Sequence, residues 1–82
     1  MPYIQIKAYP KDENIKKKVA QKIEEVFLEE WGCKKEAISV SFEEINPSDW
    51  ENTVVKPLIE PNTDKMYILN GETNKWWHLK KL

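Results

Sequence analysis

The 82-residue chain contains no arginine: all 13 of its basic residues are lysine. Any anion it holds must meet ammonium groups, backbone N–H groups or neutral donors, never the bidentate guanidinium fork. A single cysteine, Cys33, excludes an internal disulfide, and a single histidine, His78, argues against a histidine-based metal site. Gly32 and Gly71 are the only glycines, too few for a phosphate-cradling loop, and the C-x-x-C, G-x-S-x-G and H-E-x-x-H patterns are missing. No metal or organic cofactor is expected. Charge of one sign is lacking too. The 13 cations face 14 carboxylates for a formal net charge of −1, without the basic footprint of a nucleic-acid binder. No apolar run approaches the roughly 20 residues that span a bilayer, and the N-terminus has no signal-peptide pattern. A cytoplasmic protein with neither nucleic-acid nor membrane partners is expected.

What the chain does have is a short length and clear periodicity. A chain of this size buries only about 60% of the surface its unfolded form exposes. With no disulfide or metal to compensate, self-association is the expected remedy. Residues 3–9, YIQIKAY, alternate, with Ile4, Ile6 and Ala8 on one face and Tyr3, Gln5 and Lys7 on the other, which predicts a strand that Pro10 stops. Asp12 is a natural N-cap for an amphipathic helix whose apolar stripe runs through Ile15, Val19, Ile23, Val26 and Phe27. Gly32 suits the position just past its end, near Trp31. The lysines at 16–18 spread around the helix and read as a solvated face.

Residues 37–45, AISVSFEEI, alternate again, with Ile38, Val40 and Phe42 in phase. Strand, helix and strand with short connections predict a βαβ unit with parallel strands and a right-handed crossover. Its expected core is Ile4, Ile6, Val19, Ile23, Phe27, Ile38, Val40 and Phe42. Beyond the turn at Asn46-Pro47, Ser48 is placed to cap a short helix through Asp49, Trp50 and Val54, and Pro57 and Pro61 prevent a long one. MYIL at 66–69 reads as a short strand before the Asn70-Gly71 turn. Two parallel strands leave open edges, so a partner subunit is expected to extend or stack on the sheet. The domain is assigned to residues 1–71, with the 72–82 tail packed on a partner subunit. Trp76 and Trp77 belong to that tail, and with no basic groove beside them they are assigned to this packing rather than to base stacking.

The residue with chemical potential is Pro2. Removal of Met1 would leave a secondary amine at the start of the first strand. An α-amino group titrates near 7.7–8.0 when unperturbed, and burial or a neighbouring cation lowers that value. Such a group is a neutral base near physiological pH, a role few side chains other than histidine fill. Cys33, by contrast, has no histidine in its neighbourhood and follows a helix C-terminus, which disfavours a thiolate; it is assigned a structural or incidental role.

Taken in order, P-Y-I-Q-I-K-A-Y-P-K at 2–11, the amphipathic helix, A-I-S-V-S-F-E-E-I at 37–45 and N-P-S-D-W at 46–50 resemble the 4-oxalocrotonate tautomerase family, in particular its small bacterial branch. The resemblance runs from Pro2 to about Gly71. It implies an α/β fold of βαβ protomers whose sheet is completed by oligomerisation, in a homodimer or a higher oligomer. It also implies an isomerase that moves a proton in a small 2-oxo/enol acid, with Pro2 as the catalytic base. Lys11 falls where relatives close to this branch carry an arginine that engages the substrate's carboxylate or keto oxygen. Trp50 falls at an aromatic position that lines the pocket and helps keep the amine's pKa low. Ser41 falls where better-known members have a second arginine, contributed by the neighbouring subunit. A serine donates only a neutral hydrogen bond, so the departure points away from dicarboxylates and toward a monocarboxylate such as an arylpyruvate enol. The alternative is a non-catalytic interaction module on a tautomerase-like or ferredoxin-like scaffold, which the missing arginines favour.

Overall fold

The computed structural model describes residues 1–73, which divide into two compact units, one spanning Met1–Pro47 and the other beginning at Ser48. In the first unit, strand β1 (Tyr3–Ala8) leads into helix α1 (Glu13–Val26) and returns as strand β2 (Ser39–Glu44). The strands are parallel, in a register that pairs Tyr3 with Ser39, Ile4 with Val40 and Ala8 with Glu44. Asp12 caps α1 as expected, its carboxylate accepting from the Asn14 N–H at 3.2 Å. The helical winding then widens into a π turn over Phe27–Trp31, where the two aromatic rings meet edge-to-face at 4.7 Å. Gly32 ends it at φ +64°, a left-handed conformation that costs glycine nothing. Strand β2 starts two residues later than the alternation suggested, because Lys35–Ala37 coil into a 3₁₀ turn.

The second unit departs further from its sequence pattern. Its helix α2 (Pro47–Trp50) begins at Pro47, a residue favoured in the first turn, so Ser48 lies inside the helix rather than at its cap. Proline inside an α-helix removes a hydrogen bond and clashes with the carbonyl four residues back. Here the winding does not stop at Pro57. It widens into a π turn over Glu51–Ile59 and then tightens into a 3₁₀ turn over Glu60–Lys65, with Pro61 in its first residues. Strands β3 (Ile68–Leu69) and β4 (Glu72–Thr73) follow as an antiparallel hairpin. Asn70 and Gly71, at φ +52° and +82°, form the two-residue turn with positive φ at both positions that Asn-Gly favours. Glu72 and Thr73 are thus the return strand of a hairpin, while the rest of the expected tail, Trp76 and Trp77 included, lies outside the described residues.

The expected core is only half formed. Seven of its eight members are half-buried, and Val19 is 39% exposed. A pair of strands spans roughly 10 Å and offers little surface to cover, and Ile15, Val19 and Val26 of the apolar stripe stay 49%, 39% and 54% exposed. Among the described residues the buried hydrophobic side chains are Ile45 and Val54, one in each unit. No helix among the described residues is long and apolar enough to cross a membrane.

Candidate active site

Pro2 is buried at the head of β1, while Met1 before it is 98% exposed. The Pro2 carbonyl accepts from the Ser39 N–H at 3.2 Å, so the parallel ladder grips the chain right up to this residue. Ser41 is two residues further along β2, half-buried, with its hydroxyl 3.1 Å from that of Tyr3. Tyr3, Ser41, Lys7 and Glu43 share the sheet face turned away from α1, and Lys7 and Glu43 form an ion pair there. Ser41 is therefore mid-strand, opposite Gln5, and reaches toward the head of β1 only through its contact with Tyr3.

Lys11 is at the other end. It follows β1, and six strand residues alone place it roughly 20 Å from Pro2 along the chain direction. A crevice of about 290 Å³ opens there between helix and sheet, walled by Ile6, Ile15, Val19 and Phe42 together with Lys11 and Glu44. Pro2 and Ser41 are not among its walls. Trp50 is half-buried at the end of α2, in the second unit. The first unit thus places Ser41 opposite Gln5, three residues along β1 from Pro2, and does not bring Lys11 to Pro2.

The charged groups around Lys11 form a network that the pattern reading missed. One Glu44 oxygen accepts from the Lys11 backbone N–H at 3.0 Å and from the Lys16 ammonium at 3.0 Å. Lys16 reaches Glu13 as well, at 2.7 Å. The Lys11 N–H first, and Lys16 second, hold the Glu44 carboxyl below its ordinary pKa. Lys16 is raised above the ordinary lysine value, first by its hydrogen bond to Glu13 and then by that to Glu44. Lys16 is thus no solvated surface lysine, since its side chain is only 17% exposed. A signal for this was present in the sequence: Glu44 continues the phase of Ile38, Val40 and Phe42. A carboxylate on the helix-facing side of a strand needs donors to meet it. Cys33 donates its thiol to the Phe27 carbonyl at 3.5 Å, in keeping with a structural role at the helix end. Among the described residues no cluster of histidine, cysteine and carboxylate side chains could hold a metal.

No family model matches the chain. Among curated proteins it is similar to the Tautomerase PptA of Pectobacterium atrosepticum, 35% identical over 68 residues that cover 80% of this chain and 90% of that protein. The Tautomerase PptA of Pectobacterium carotovorum is 34% identical over the same coverage, and that of an Enterobacter species 31%. The chain belongs to this family of small bacterial tautomerases. Its parallel β1–β2 pair with α1 between them fits the βαβ fold that the resemblance implied. As a member of a tautomerase family it falls among the isomerases, whose reaction needs a base, an acid and a way to hold an enolate-like oxygen.

Proposed function

We propose that this protein is a keto–enol tautomerase of the 4-oxalocrotonate type, acting on a small 2-oxo/enol acid such as an arylpyruvate, with Pro2 as its base once Met1 is removed. Membership of the tautomerase family, together with a buried Pro2 behind a fully projecting Met1, supports this reading. Removal of Met1 converts the Pro2 nitrogen from an acylated, non-basic atom to a secondary amine. Burial disfavours the charged form of an amine, which keeps it available as a base near neutrality.

The reaction is a one-base transfer. The neutral Pro2 nitrogen takes the proton of the enol hydroxyl, and the O–H electron pair forms the carbonyl. The carbon–carbon π pair then takes the same proton back from the prolinium at C3. Lys11 stabilises the negative oxygen or holds the carboxylate as a point charge. Ser41 supplies a neutral hydrogen bond, and Trp50 is assigned by resemblance to the wall of the pocket.

Because Pro2 and Lys11 occupy opposite ends of β1, a site using both draws them from different copies of the chain. A homo-oligomer, at minimum a dimer, is therefore part of the proposal. The half-buried apolar stripe of α1 and the two open edges of the sheet support it.

The test compares Met-free and Met-retaining protein, verified by intact mass, in ketonisation of phenylenolpyruvate. Activity is expected in the Met-free form alone. Equal rates in the two preparations would exclude Pro2 as the base, and no activity in either would leave the non-catalytic interaction module, which the absence of arginine favours. Sedimentation should give at least twice the 9.8 kDa chain mass at micromolar concentration, and a stable folded monomer would rule out the shared site.

A further inference from the structure

We infer that Glu44 is a positioning residue, fixing the turn after β1 so that the Lys11 ammonium is left free to meet the substrate's anionic oxygen. This rests on the reading of Lys11 given above. Glu44 is on the helix-facing side of β2, paired in register with Ala8, the last residue of β1. Its carboxylate reaches across to the turn and takes the backbone N–H of Lys11, not its side chain. Lys16, held on its other side by Glu13, occupies the same Glu44 oxygen.

The arrangement separates two roles that a single lysine could not fill. A carboxylate this near to Lys11 would, if unneutralised, capture the Lys11 ammonium and compete with an anionic ligand for it. Lys16 supplies the cation instead, so Glu44 anchors the Lys11 backbone and leaves its side chain alone. Among the described residues the Lys11 ammonium makes no ion pair, while its side chain helps to wall the crevice beside Ile6 and Phe42. A charge-assisted bond to the backbone restricts the turn more firmly than a neutral one would.

The experiment is a double-mutant cycle on Met-free protein, read as KM and kcat for phenylenolpyruvate. Glu44→Ala is expected to raise KM roughly fivefold with little change in kcat, the size of effect that follows loss of one such bond. In a Lys11→Ala background the same substitution should leave KM where it was, because nothing is left to position. Glu44→Gln, which still accepts from the Lys11 N–H, should restore most of the KM. Lys16→Met should raise KM only where Lys11 is present.

A purely structural Glu44 would raise KM equally in both backgrounds, and that result, or no rise at all, overturns the inference. No KM change for Lys11→Ala also overturns it. Such a failure stays distinct from that of Pro2, which the Met-free and Met-retaining comparison reads independently. Should Glu44→Ala not fold, Lys16→Met with and without Lys11 carries the cycle. Should turnover be absent, the same cycle is read as the Kd for phenylpyruvate, with the same pattern expected and the same pattern overturning it.

Discussion

The two ends of β1 differ in almost every physical respect. At its head Pro2 is buried, and its carbonyl is tied to the Ser39 N–H. At its foot, Lys11, Glu13, Lys16 and Glu44 form a charged network beside an apolar crevice. A base that must stay neutral is favoured by the first environment, and a cation that must meet an anion by the second. One strand cannot bring the two together, because it is rigid and extended. The contrast divides the proposed chemistry along the strand, so each end can be disturbed without the other.

Ile45→Ala should have the largest effect on stability. Ile45 is 7% exposed, and its N–H donates to the Ala8 carbonyl at 2.8 Å, extending the ladder past the foot of the strands. Removing a buried isoleucine side chain costs about 2–5 kcal/mol, and denaturant unfolding should register it. A loss under about 1 kcal/mol would mean that the foot of the sheet is not anchored there.

The head should respond in activity. Pro2→Ala keeps an amine, but a primary and freer one, so kcat/KM should fall by roughly tenfold without vanishing. The rate on Met-free protein should also rise with pH as the amine deprotonates, since only the neutral form accepts a proton. A pH-independent rate would place the base elsewhere.

Lys11→Ala should act on substrate affinity at the foot, raising KM several-fold while kcat changes less, as the loss of a point charge on an anion does. An equal fall in kcat would move Lys11 from anchoring the substrate to stabilising the transition state.

The smallest effect is on pH dependence of stability. Glu44 titrates below its ordinary value, so its contribution is present above the ordinary carboxylate pKa and is lost as pH falls through the depressed one. Lys16 titrates above its ordinary value, so its contribution is complete below the ordinary lysine pKa and is lost as pH rises through the raised one. Melting temperature should therefore hold through neutrality and fall at both extremes. Glu44→Gln should flatten the acid limb while leaving the neutral plateau nearly unmoved, because the Glu44 carboxylate is 40% exposed and solvent screens its pair.

How much of this was legible in the chain differs between the two units. β1, α1 and β2 were readable because each obeys one period, two for the strands and 3.6 for the helix, and because Asp12, Gly32 and Pro10 punctuate them. The segment 47–65 was not, because two prolines argue for a break, and wide and tight turns absorbed them with no period of their own. Of the candidate site, the place of Pro2 at the head of a parallel strand was legible. The burial of Pro2 was not, nor was the partner of Glu44, since alternation says which face a side chain takes and not what waits there.

By itself, then, the sequence determined the parallel direction of the two strands, the helix and its caps, and part of the chemistry available: a latent secondary amine and no guanidinium. Local periodicity and residue type suffice for those. Only the tertiary structure decided that Lys16 belongs to a bridge and not to a solvated face, and that Ile45 is buried where the alternation ends. It also decided that Pro2 and Lys11 stand at opposite ends of one strand. These follow from distances between residues far apart in the chain, and no local pattern encodes them.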